Sequence, residues 1–150
     1  MMSTDEEVTK DLLQTLEDGR EGYATGAEKL GELDQPALVT TFNEMSAQRQ
    51  TFADELQGMA NAYGDEPDRS GSAAAALHRG WMSLTDALTK DTPEAVLKAA
   101  RQGDDHAVTE YEKALDNDDV SADLRAVVER QLTGIRAARD MVAGLASSTD

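Results

Sequence analysis

Three polar side chains interrupt helical stripes that are otherwise apolar, and they are the first candidates for chemistry. Arg49 stands in a stripe that steps alternately by four and three residues, and Asp104 and Gln131 interrupt two similar stripes further along the chain. Such spacing is typical of helices that pack side by side in a bundle. Each residue lies near the middle of its predicted helix, so we expect all three to share one layer of the core.

A guanidinium on an apolar stripe needs a carboxylate partner or a route to solvent. Asp104 is the expected partner of Arg49 because both lie at the same depth, and Asp18 and Glu28 of the first helix are the alternatives. We interpret this layer as ionic and structural, fixing the register of the helices. No nucleophile–base pair or phosphate-binding loop is recognisable, so we assign no catalytic residue and no cofactor.

A di-metal centre is the alternative interpretation of a polar layer at this depth. Four-helix bundles of the ferritin type hold two metal ions with glutamates and a Glu-x-x-His motif on two helices. Ala75 stands three residues before His78, and Gly103 three residues before His106, so the motif is absent. Arg49 would also repel a divalent cation. We therefore predict no metal site. The alternative is a carboxylate-rich set made of Glu28, Glu55, Asp104, Asp105 and His106.

Charge and composition exclude several classes of partner. The 150 residues carry 30 acidic and 14 basic side chains, a net charge of −16, whereas nucleic-acid binding requires a basic surface. No apolar run approaches the roughly 20 residues of a membrane span, and the first residues lack the features of a signal peptide. The absence of cysteine removes disulfides and thiol chemistry. We expect a soluble cytoplasmic protein whose partners are unknown and which can form homo-oligomers.

Capping residues and prolines divide the chain into five predicted helices. They run from Ser3/Thr4 to about Glu32, from Asp34 and Pro36 to Tyr63, from Ser72 to about Thr89, from Thr92 to about Asp116, and from Ser121 to about Ala146. Residues 147–150 are predicted to fray. No segment shows the alternation of a β-strand.

The lengths of these helices predict an architecture. Four of them would each span about 36–42 Å, while the third would reach only about 27 Å. We therefore predict an all-α, ferritin-like four-helix bundle in which the third segment is a helical crossover, folded as one domain over residues 1–150. A five-helix up-and-down bundle is the alternative.

Three glycines within the first helix also require an explanation. Each costs about 1 kcal/mol relative to alanine in a helix interior. Gly19, Gly22 and Gly26 share one face, on which a helix or a large ring can approach closely. Trp81 is the only tryptophan of the chain, and we predict that its ring packs against this face.

Several short runs carry a resemblance to a known family. They are Asp18-Gly19 with Gly22-Tyr23, Gln48-Arg49, His78-Arg79-Gly80-Trp81 and Gly103-Asp104-Asp105. On these runs, over residues 8–116 approximately, the chain resembles an uncharacterised bacterial four-helix-bundle family, domain of unknown function 2383, which is grouped with ferritin-like proteins.

This resemblance implies a ferritin-like bundle, an association with stress responses and no established activity. Together with the expected ionic layer, this resemblance leads us to predict a non-catalytic structural or binding protein. The alternative function is metal binding or iron handling by the carboxylate-rich set.

Overall fold

The computed structural model describes residues 3–64 and 80–148, and all secondary structure within these two ranges is helical. We number the helices in chain order. They are α1 (Thr4–Glu32), α2 (Pro36–Ala62), α3 (Met82–Lys90), α4 (Pro93–Asp116) and α5 (Ala122–Ser148). Among these described helices, none is both long enough and apolar enough to cross a membrane.

Side-chain caps begin three of the helices where the sequence predicts them. The Ser3 hydroxyl accepts a hydrogen bond from the Glu6 amide at 3.1 Å. Thr92 caps α4 in the same way, with Pro93 in the first turn. Ser121 Oγ accepts from the amide of Leu124 at 3.2 Å. Each cap satisfies one of the amide groups that a helix leaves unpaired at its start.

One of the predicted helix starts is wrong, and one predicted helix is not continuous. Asp34 does not cap α2, because its backbone is left-handed with φ 57° and Gln35 is the residue that precedes the helix. The predicted third helix is also interrupted near its middle. Ser72 lies outside the described residues, but Gly80 has φ +93° and Trp81 is not helical, so α3 begins only at Met82.

Gly80 has two reasons to be glycine. Its φ of +93° is one that other residues rarely adopt, and a Cβ at this position would lie 2.6 Å from Cδ2 of His106. The nine residues of α3 span about 13 Å, about half the predicted 27 Å. At this length α3 is not a fifth full-length member of an up-and-down bundle.

Contacts at both ends of the bundle define the direction of α4 relative to α1. Lys29 near the end of α1 contacts Asp91, which lies just before α4. Asp5 at the start of α1 accepts a hydrogen bond from the Ser121 amide, which lies just after α4. The two helices are therefore antiparallel.

Helices α2 and α5 are antiparallel for the same kind of reason. Tyr63, just after α2, contacts Asp123 at the start of α5, and Gln48 in mid-α2 donates to the carbonyl of Gly134 in mid-α5. Since α1 packs on α2 and α4, and α5 packs on α4 and α2, the four long helices form a closed bundle. In this bundle α2 and α4 are diagonally opposite.

The apolar core consists of two clusters, one in each half of the bundle. One cluster includes Tyr23, Leu30, Phe42, Trp81, Leu97 and Val142. The other includes Leu12, Leu16, Leu56, Tyr111, Val128 and Ile135. Arg49 and Asp104 are buried between the two clusters, whereas Gln131 is buried among residues of the second cluster, so the three do not lie at one depth as expected. We call these buried polar residues and their hydrogen-bond partners the polar layer.

Candidate functional site

The centre of the polar layer is an ion pair between α2 and α4. Arg49 Nη1 donates to Asp104 Oδ1 at 2.7 Å, and the two side chains are 1% and 0% exposed. Arg49 Nε also donates to Gln48 Oε1 at 3.0 Å, while its buried Nη2 has no hydrogen-bond partner among the described residues. Burial opposes the charge of Arg49, but the Asp104 carboxylate more than offsets it, and the pKa of Arg49 is raised.

Tyr23 of α1 completes the environment of the carboxylate. Its hydroxyl donates to Asp104 Oδ2, so both carboxylate oxygens are bonded. Its ring lies below the guanidinium, with Arg49 Cζ 5.4 Å from the ring centroid, which is the geometry of a cation–π contact. Burial, reinforced by the negative charge of Asp104, raises the pKa of Tyr23 well above its ordinary value, so this phenol stays protonated.

Gln131 of α5 forms the other part of the layer. Its Oε1 accepts from the Tyr111 hydroxyl at 2.7 Å, and its Nε2 donates to Glu55 Oε1 at 2.8 Å and to the Phe52 carbonyl at 3.2 Å. Burial disfavours the charged form of Glu55, but hydrogen bonds from Gln131 and Arg130 prevail and lower the pKa of Glu55. Together the two parts of the layer join all four long helices.

The two first-helix carboxylates considered as alternative partners of Arg49 differ in their surroundings. Glu28 is exposed on α1, and Asp18 is buried at 2% exposure. Arg49 bonds to Asp104 and Gln48, and neither Asp18 nor Glu28 is its partner. Gly19 brings the α1 backbone close to the guanidinium, since a Cβ there would lie 3.3 Å from Arg49 Nη1.

The carboxylate-rich set proposed as the alternative is not brought together. Asp104 is bonded to Arg49 and Tyr23, and Glu55 is bonded to Gln131 and Arg130. Asp105 pairs with Arg101 and Arg139 at 3.9 and 3.7 Å, and Glu28 is exposed elsewhere. The ring of His106 packs against Gly80. Within residues 3–64 and 80–148, no group of three or more His, Asp or Glu side chains is arranged to hold a metal ion.

The tryptophan of the His-Arg-Gly-Trp run is buried against glycine. Trp81 is 2% exposed, whereas His78 and Arg79 lie outside the described residues. A Cβ on either Gly22 or Gly103 would overlap the indole ring, so both residues must be glycine for the ring to fit. The predicted contact of Trp81 with Gly22 is confirmed.

The rest of the predicted glycine face serves other neighbours, so the prediction is wrong there. Gly19 faces Arg49, and a Cβ on Gly26 would lie 2.8 Å from Cε2 of Phe42. The three glycines share a face of α1, but that face meets two parts of the chain, since Gly19 and Gly26 contact α2 and Gly22 contacts Trp81.

Sequence reasoning missed the contributions of Gly103 and of the two buried tyrosines. Both Tyr23 and Tyr111 occupy seam positions of their helices, and a buried tyrosine hydroxyl usually has a hydrogen-bond partner. That was the available signal for extending the polar layer beyond Arg49, Asp104 and Gln131. Nothing in the spacing indicated that Gly103 meets Trp81.

These features define an all-α packed helical bundle with a buried ionic network at its centre. A family model described as domain of unknown function (DUF2383) matches residues 6–117. The match covers most of the chain, and the protein therefore belongs to this family, in agreement with the resemblance predicted over residues 8–116. A comparison with curated proteins finds no match.

Proposed function

We propose that this protein is a ferritin-like bundle whose core is held by an ionic network in place of a metal centre, and that it acts as a non-catalytic structural or binding protein. The observation that carries the proposal is the Arg49–Asp104 pair, which places a cation at mid-height in the core. Its counterpart in metal-binding bundles is a set of inward-facing glutamates and histidines.

The directions of the long helices support the ferritin-like part of the proposal. Helix α2 runs opposite to α1, α4 also runs opposite to α1, and α5 runs opposite to both α2 and α4. Two consecutive long helices, α2 and α4, thus point the same way, as they do in bundles with one long crossover connection. The short α3 leads directly into α4.

The donor set of the layer does not fit a di-metal centre. Its members are a guanidinium, two phenols, a glutamine and two carboxylates, and each carboxylate already accepts hydrogen bonds from arginine and from a neutral donor. A divalent ion at Asp104 would stand beside the fixed positive charge of Arg49. The layer is suited to holding helices in register, since each of its bonds joins two different helices or anchors a residue that does.

The test is a metal titration of the full chain. Protein purified without chelators is analysed for bound metals and then titrated with ferrous iron without oxygen. At a micromolar concentration of protein we expect less than one ion bound per chain. The reason is that the described residues contain no group of three or more His, Asp or Glu side chains that could hold a metal ion.

Two variants make the result interpretable. Asp104→Asn removes the central carboxylate, and Glu28→Gln removes an exposed carboxylate of the same alternative set. Stoichiometric iron in the wild type that is lost in Asp104→Asn and retained in Glu28→Gln would overturn the proposal and establish a metal-binding function.

A further inference from the structure

The guanidinium of Arg49 has more hydrogen-bond donors than its described partners use. Nη1 donates to Asp104 and Nε to Gln48, whereas the buried Nη2 has no hydrogen-bond partner among the described residues. The side chain is only 1% exposed, so bulk water does not reach this nitrogen. A buried donor without an acceptor is costly, and more so when it belongs to a charged group. The space beside Nη2 is therefore where the core needs a hydrogen-bond acceptor.

Small side chains lie on one side of the ion pair. Ala53 follows Arg49 by one turn of α2, and Ala107 follows Asp104 by one turn of α4, so each alanine shares a face with the charged residue. Both alanines are buried. Because α2 and α4 run in the same direction, both are displaced from the ion pair toward the same end of the bundle. This alanine-lined side is the one on which a molecule the size of water can fit.

An acceptor with unused capacity lies on the same side. Tyr111 follows Ala107 by one turn of α4, and its hydroxyl donates its only hydrogen to Gln131 Oε1 at 2.7 Å. The oxygen of a hydroxyl can also accept hydrogen bonds, and among the described residues none is donated to Tyr111 Oη. Burial raises the pKa of Tyr111, and the positive charge of Arg49 opposes this rise, so the phenol lies within electrostatic reach of the guanidinium.

We propose that one long-lived water molecule is bound between Arg49 Nη2 and Tyr111 Oη, an inference that rests on the ionic layer of the proposed function. The water accepts a hydrogen bond from Nη2 and donates one to Oη. A neutral ligand suits this position better than an anion, because Asp104 already balances the charge of Arg49. Through the water, the ion pair of α2 and α4 is joined to the group around Gln131 of α5, and the two parts of the polar layer form one network.

A crystal structure of the full wild-type chain tests the position of the water. We expect density about 2.7–3.2 Å from Arg49 Nη2 that also lies within hydrogen-bond distance of Tyr111 Oη. Crystals grown with bromide in place of chloride should give no anomalous signal there, because the ligand is neutral, and such a signal would contradict the proposal.

Two other outcomes of the same crystal structure separate this inference from the proposed function. If Nη2 bonds to a protein acceptor or packs on an aromatic face, with no water beside it, the water site is wrong and the ionic layer stands. If a metal ion is bound to Asp104 at coordination distance, both the water site and the ionic layer are wrong.

Magnetic relaxation dispersion of water nuclei counts long-lived internal waters in solution, and a matched pair of variants assigns this one. Ala107→Val fills space beside the ion pair, and we expect one long-lived water fewer than in the wild type. Ala114→Val adds the same bulk at another buried position on the same face of α4, two turns farther from Asp104, and should keep the wild-type number. Equal numbers in the wild type and Ala107→Val would contradict the proposal.

Removal of the acceptor gives a second measurement that does not depend on added bulk. Tyr111→Phe leaves the water bonded to Arg49 but removes one of its partners. Its residence time should shorten by about two- to tenfold, the factor expected for one neutral hydrogen bond. An unchanged residence time in Tyr111→Phe would show that no water bridges the two side chains.

Discussion

The Arg49 guanidinium and the Asp104 carboxylate meet at 2.7 Å across the diagonal of the bundle, from α2 to α4. Because the two helices are not adjacent, this bond passes through the centre of the core, between the two apolar clusters. Tyr23 caps the same carboxylate from α1. The relative heights of α1, α2 and α4 are thus coupled through a single side chain, Asp104.

Removal of one charge from this pair should be costly. Arg49→Met leaves Asp104 buried without its cation, and we expect a loss of about 3–5 kcal/mol in the free energy of unfolding. Urea denaturation measures it. The control is an apolar replacement of the whole group, Arg49→Met with Asp104→Leu and Tyr23→Phe, which should be more stable than Arg49→Met alone. A triple variant less stable than the single one would contradict the interpretation.

The two buried tyrosines provide a matched comparison. Tyr23 donates to a carboxylate and Tyr111 to the neutral oxygen of Gln131. Hydrogen bonds to charged groups contribute about 1.5–3 kcal/mol and neutral ones about 0.5–1.5 kcal/mol. Tyr23→Phe should therefore destabilise more than Tyr111→Phe in the same denaturation experiment. Equal losses would mean that Asp104 does not stabilise the Tyr23 hydroxyl as a charged acceptor.

Glycine-to-alanine substitutions separate sites of close approach from open helix surface. Gly22→Ala and Gly103→Ala place a Cβ inside the Trp81 ring, so we expect lower Tm and a red shift of the tryptophan fluorescence. Gly58→Ala and Gly144→Ala meet no atom within 4 Å and should stabilise by about 0.5–1 kcal/mol through helix propensity. An unchanged emission spectrum in both Gly22→Ala and Gly103→Ala would contradict the described packing.

Stability should depend on pH through Glu55. Its folded pKa lies below the ordinary value of 4.5, so its stabilising contribution is present above that pH and is lost as pH falls through the folded pKa. Between pH 5 and 3 the wild type should lose more stability than Glu55→Gln, in which the group does not titrate. The exposed Glu44→Gln is the control and should follow the wild type. Parallel curves for wild type and Glu55→Gln would show that the Gln131 and Arg130 bonds contribute nothing.

Much of the helical framework could be predicted because its determinants are local. Ser3, Thr92 and Ser121 cap helices through residues three positions away, and the alternation of three and four residues marks buried faces within one helix. The failures occurred where a distant contact overrides a local signal. Asp34 resembles a cap but adopts a left-handed conformation, and Gly80 interrupts a helical pattern at a position where His106 leaves no room for a side chain.

The sequence alone determined that polar residues would interrupt the seams at mid-height, since depth along a helix follows from counting residues at constant rise. Only the tertiary structure decided which side chains meet. The choice of Asp104 over Asp18 and Glu28, the placement of Tyr23 on the same carboxylate, and the meeting of Gly103 with Trp81 all depend on which helices are neighbours and how each is rotated. The choice of neighbouring helices and the rotation of each helix about its axis result from packing the whole core at once. No single stretch of sequence encodes them locally.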